Sequence, residues 1–123
     1  AFNLRKSTHR HWSARTWRYR LRMEKEVAFL TLTIAVELPV AMFVLGKQDW
    51  QRIVGVVICI NLITHPIAWH FAAEGTSILL LEGIVMLLEA LILAATLSPY
   101  RSRAFLAGCS MNILSATIGV LFF

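Results

Sequence analysis

Four apolar stretches, at about residues 27–46, 51–72, 77–97 and 104–123, divide this chain, and each carries one strongly polar residue near its centre: Glu37, Asn61, Glu89 and Asn112. Each stretch approaches the ~20 residues that a helix needs to cross the hydrocarbon core of a bilayer, so the four midpoints share a depth. A lipid-facing acid at that depth costs about 2.5 to 3.5 kcal/mol on insertion scales, which turns such side chains toward neighbouring helices or a wet cavity. The three connectors are short, so sequential helices are antiparallel neighbours. The prediction is an all-α polytopic membrane protein: an antiparallel four-transmembrane-helix bundle with a buried polar layer and a basic N-terminal segment.

Composition removes the soluble alternative. Hydrophobic residues make up 58% of the 123 residues and charged residues only 15%, and the mean hydropathy is +0.66, which leaves one membrane domain over residues 26–123 after a segment at 1–25. The net charge of +5 is a property of that segment, because eight of the twelve Lys and Arg precede residue 26. If residues 1–22 are helical, Trp12, Thr16, Tyr19 and Met23 share one face while Arg15, Arg18 and Arg22 share another, as in an interfacial helix. Arg15, Trp17, Arg18, Arg20 and Arg22 are the predicted contacts to a membrane surface or a partner, with each basic group adding about 1 kcal/mol near anionic lipid. This pattern favours the lipid bilayer and other membrane subunits over nucleic acid. The same Arg-rich, acid-free start also resembles an organellar transit peptide, and Met23 is an alternative initiator. Counting basic residues in short segments places both termini in the cytoplasm; a start at Met23 reverses the balance. No internal repeat or low-complexity tract is expected.

Helical spacing sorts the polar residues into stripes: Thr33, Glu37 and Ala41; Asn61, Thr64, His65 and Ala68; Glu82, Met86 and Glu89; Gly108, Asn112, Ser115 and Gly119. The last is also a small-residue face that lets helices approach closely in lipid. Antiparallel packing then predicts a second layer of Thr33, His65, Glu82 and Ser115 on the side of the second connector. Pro39 and Pro66 are predicted helix kinks that free the carbonyls of Ala35 and Leu62, with Asn61, Asn112 and His65 as donors to mend them. Unwound backbone at these points is alternatively a cation or ligand site. Cys59 and Cys109 read as small buried apolar side chains.

The spans offer Glu37, Glu82 and Glu89 no Lys or Arg partner. Three states fit: neutral acids that hold the bundle together, a proton relay through His65, or carboxylates compensated by a bound cation. His65 is the one metal candidate, or an axial ligand to haem or pigment, but His65 and His70 do not share a face and no HExxH accompanies them. The cofactor stays undefined. Nothing matches a GxSxG elbow, an intramembrane aspartyl pair or a Gly-rich phosphate loop, so a non-enzyme is expected. Three functions follow in order: a subunit or accessory protein of a larger membrane complex, a proton- or cation-coupled carrier acting as a homo-oligomer, and a cofactor-binding subunit.

Glu37-Leu38-Pro39, then Asn61-Leu62-Ile63-Thr64-His65-Pro66 with Trp69, then Glu82 and Glu89-Ala90, and finally Asn112-Ile113-Leu114-Ser115 with Gly119 together resemble a family of small bacterial four-span membrane proteins. The resemblance covers most of residues 27–119. It implies the four-span fold and the bacterial cytoplasmic membrane, and carries no activity.

Overall fold

A computed structural model describes the backbone of residues 5–46, 49–97 and 101–122, and the side chains of these except 5–16, 18 and 122. The described residues form four helices and no strand: α1 (Arg5–Leu45), α2 (Trp50–Ala73), α3 (Ile78–Thr96) and α4 (Arg101–Phe122). All four are long and apolar enough to cross a membrane, the first over Tyr19–Leu45. The predicted all-α four-helix bundle is therefore present. From Arg5 onward the basic segment is continuous with the first span, for α1 runs 41 residues without interruption. At 1.5 Å per residue that is ~61 Å, about twice the ~30 Å hydrocarbon core. The side-chain expectations for Trp12, Arg15, Thr16 and Arg18 fall outside the described residues.

Two glycines close the first two helices. Gly46 (φ 80°) and Gly75 (φ 92°) are the left-handed residues among those described, a conformation that costs a Cβ-bearing residue but not glycine. Gly46 N–H bonds the Met42 carbonyl at 3.0 Å. At the end of α2, Gly75 N–H reaches Ala72 O and Thr76 N–H reaches Phe71 O, both at 3.1 Å, the reciprocal pair of a Schellman motif. Both turns satisfy terminal carbonyls and reverse the chain within a few residues.

The helices form a ring in which each packs on its two neighbours and α4 closes onto α1, leaving α1 and α3 on one diagonal and α2 and α4 on the other. Each contributes a narrow buried stripe. On α1 it is Thr33, Glu37 and Ala41; on α2, Ile53, Val57, Ile60, Asn61 and Thr64; on α3, Glu89, Ala90 and Leu93; on α4, Ala104, Ala107, Met111, Asn112 and Ser115. Between their ends the helices turn large apolar side chains outward, with Phe43 90%, Leu79 86% and Val120 83% exposed. In water such a surface is a liability; in a bilayer it matches its solvent.

α4 nests more closely on its neighbours than α2 does. A Cβ at Gly108 would stand 2.5 Å from Ala90 Cα and 2.9 Å from Ala90 Cβ, so α3 and α4 meet backbone to backbone, as the small-residue face predicts. Between α2 and α3, by contrast, an apolar groove of about 300 Å³ opens, lined by Gly55, Cys59, Ile63, Leu88 and Ile92 with Thr64 in its wall. Cys59 is exposed and Cys109 half-buried, which corrects the expectation that both are buried. Cys59 follows buried Val57 by two residues, about 200° around the helix.

Candidate functional site

The helical stripes bring Glu37, Asn61, Thr64, Glu89, Asn112 and Ser115 together at the centre of the bundle. All six are buried, with Glu37 at 0% and Glu89 and Asn61 at 1% exposure. Asn61 Nδ2 donates to Glu37 Oε2 at 2.6 Å, and Ser115 Oγ stands 3.0 Å from Glu37 Oε1. Asn112 Nδ2 donates to Glu89 Oε2 at 2.8 Å, and Thr64 Oγ1 stands 2.6 Å from Glu89 Oε1. Each carboxyl group, on one diagonal of the ring, thus receives an amide on one oxygen and a hydroxyl on the other. The two groups that reach it come from the two helices of the other diagonal. Four side-chain hydrogen bonds join all four helices, and among the described residues no buried side-chain polar atom lacks a partner.

Each of these four side chains is also anchored to its own helix. Asn61 Nδ2 reaches Val57 O at 3.1 Å and Asn112 Nδ2 reaches Gly108 O at 3.0 Å, so both N–H bonds of each amide are used. Thr64 Oγ1 lies 3.0 Å from Ile60 O, and Ser115 Oγ 3.2 Å from Asn112 O. These bonds fix the side-chain directions within each helix. Other hydroxyls stay local: Thr31, Thr96 and Thr117 bond the carbonyl four residues back, at 2.7, 2.7 and 2.6 Å, which satisfies them without a neighbouring helix.

The layer is built twice from related sequence. Residues 61–71 read NLITHPIAWHF and residues 112–122 read NILSATIGVLF, with Asn on Asn, Thr64 on Ser115, Ile67 on Ile118 and Phe71 on Phe122. Asn61 follows Glu37 by 24 residues and Asn112 follows Glu89 by 23. The described residues thus form two helical hairpins, α1–α2 and α3–α4, each carrying one Glu and one N-x-x-[S/T] segment. This corrects the expectation of no internal repeat. The signal is confined to a short polar pattern set in interchangeable Leu, Ile and Val, which is why composition does not betray it.

Other predicted roles change. Ser115 belongs to the carboxyl layer and not to a second one. Thr33 is buried but outside the hydrogen-bonded layer, and Glu82 is half-buried and also outside it. His65, half-buried, packs its ring on Phe29 at 5.1 Å between centroids, with Trp69 at 6.5 Å from the same ring; it takes no part in the four hydrogen bonds that make the layer. Pro39 and Pro66 lie inside α1 and α2 without ending them. Both are exposed, as are Ala35 and Leu62, and the two amides serve Val57 and Gly108 instead of mending those carbonyls. The reason is angular: Pro39 stands about 200° and Pro66 about 140° around the helix from the inward Glu37 and Asn61. Trp17, Arg20 and Arg22 are exposed, Arg22 Nε lying 3.4 Å from Glu26 Oε1 one turn on. Among the described residues no group of three or more His, Cys, Asp or Glu side chains converges to hold a metal ion.

Comparison with protein-family models, with curated proteins and with solved structures gives no match to this chain.

Proposed function

We propose that this chain is a non-enzymatic subunit or accessory protein of a larger membrane complex, residing in a bacterial cytoplasmic membrane with both termini in the cytoplasm. The observation that carries the reading is the closed interlock of Glu37 and Glu89 with the two N-x-x-[S/T] segments. Polar groups that are fully paired with each other act as glue between helices, and they leave the bundle rigid enough to present its apolar outer faces to neighbouring helices. The N-terminal part of α1, beyond Tyr19, is a second contact surface, basic in sequence and longer than a span requires.

The competing function is a proton-coupled carrier, favoured by one observation: two carboxyl groups sit at one depth inside the bundle. Purification from native membranes in mild detergent, without crosslinker, separates the two. A stoichiometric set of other membrane proteins supports the subunit. An isolated homo-oligomer, together with loss of proton-driven uptake in a folded Glu89→Gln variant, overturns it in favour of the carrier.

A further inference from the structure

The hydroxyl groups of the central layer have fewer protons than acceptors. Thr64 Oγ1 has one proton and two oxygen neighbours, Ile60 O at 3.0 Å and Glu89 Oε1 at 2.6 Å. Ser115 Oγ has one proton and likewise two, Asn112 O at 3.2 Å and Glu37 Oε1 at 3.0 Å. If each hydroxyl donates to its own helix, as Thr31, Thr96 and Thr117 do, it faces the carboxyl oxygen as an acceptor, and the missing proton must sit on the carboxyl group. If it donates to the carboxyl group instead, two carboxylates occupy the middle of a bilayer. Each then receives two donors where about four lone-pair sites are open, and among the described residues no Lys or Arg pairs with either.

We infer that Glu37 and Glu89 are both neutral carboxylic acids, Glu37 donating its proton from Oε1 to Ser115 Oγ and Glu89 from Oε1 to Thr64 Oγ1. Every proton then has one acceptor. Oε2 of each acid is the carbonyl oxygen that receives the Asn amide, Oε1 is the O–H donor, and the hydroxyl passes its own proton to its backbone carbonyl. The layer carries two protons per chain and adds no net charge to the membrane interior. That the same stoichiometry arises twice, on residues from two hairpins, makes it a property of the motif and not of one side chain. The surrounding titratable groups supply no compensating positive charge by geometry: α1 faces the layer with Glu37, α3 with Glu89 and, nearer the membrane surface, Glu82. α2 brings His65, whose ring lies on Phe29, and α4 brings half-buried Cys109.

Infrared difference spectroscopy in lipid vesicles tests the assignment. At neutral pH, wild type minus Glu37→Gln and wild type minus Glu89→Gln should each show the C=O stretch of one protonated carboxylic acid, shifted in D2O, with the double variant losing both. Carboxylate stretches in those difference spectra would overturn the inference. Should a Gln variant fail to fold, Thr64→Val and Ser115→Ala serve. Each removes the hydroxyl that takes the acid proton, so the acid C=O band should move for Glu89 in the first and for Glu37 in the second. No movement in either overturns the assignment.

Discussion

A methyl group added at Gly108 tests the packing on which the central layer depends. Its Cβ would lie 2.5 Å from Ala90 Cα, 2.9 Å from Ala90 Cβ and 3.0 Å from Ala90 N, and two of these are backbone atoms that move only if α3 and α4 separate. Overpacking of this kind costs about 1 to 3 kcal/mol. Separation also loosens the Asn112 to Glu89 bond one turn away, worth about 0.6 to 1.7 kcal/mol between membrane helices. Against this, Ala is a better helix former than Gly by up to ~1 kcal/mol. Gly108→Ala should therefore destabilise the bundle by about 1 to 4 kcal/mol. The same change at Gly55 or Gly83, where a Cβ meets nothing within 4 Å, should be neutral or stabilising by up to ~1 kcal/mol. Gly119→Ala falls between, because its obstacle at 2.9 Å is the outer edge of the Phe29 ring, which can rotate away. Unfolding by SDS in mixed micelles, followed by tryptophan fluorescence, ranks the four variants. A Gly108→Ala protein as stable as Gly55→Ala would refute the close approach of α3 and α4.

Thr64→Val keeps the shape of the side chain but removes the hydroxyl shared with Glu89, and should cost about 0.6 to 1.7 kcal/mol in the same assay. Thr96→Val, whose hydroxyl bonds only within α3, to Ile92 O and Leu93 O, should change stability by under ~0.5 kcal/mol; equal losses from the two would mean that the Thr64 to Glu89 contact contributes nothing. Removing residues 1–22 should leave four inserted spans while weakening capture of partner proteins or binding to anionic vesicles, measured by co-sedimentation. Unchanged binding would remove the contact role assigned to Trp17, Arg20 and Arg22.

The depth of the polar residues was legible because burying an acid among lipid tails is costly enough to dictate which way Glu37 and Glu89 face. The pairing was less so. Depth alone puts Ser115 in a different layer from Asn112, three residues or ~4.5 Å along the helix axis. Yet a glutamate side chain is long enough to touch one polar partner on α2 and another, a turn away, on α4. His65 has the right chemistry and depth for the layer, but it is one residue, about 100°, past Thr64, and that rotation delivers it to Phe29 and Trp69. Helix rotation is set by packing, which no single span records. The outward turn of Pro39, Pro66 and Cys59 has the same origin.

The repeat supplies what the single spans lack. In its register the inner face of α2 carries Ile53, Val56, Val57 and Ile60 where α4 carries Ala104, Ala107, Gly108 and Met111. Two hairpins with the same polar interlock thus differ in the bulk of the side chains around it. Small residues let α4 settle against α1 and α3 until Gly108 touches Ala90, whereas branched residues hold α2 away from α3 and leave the groove beside Thr64. The hydrogen-bond lengths do not follow that asymmetry, since Asn61 to Glu37 and Thr64 to Glu89 are both 2.6 Å despite the looser seam. The interlock therefore closes across the tight and the loose seam alike, because the long Glu and Asn side chains span the difference. A bundle held at its polar centre and graded in packing around it thus keeps its four helices registered while its looser seam lies on the α2 side alone.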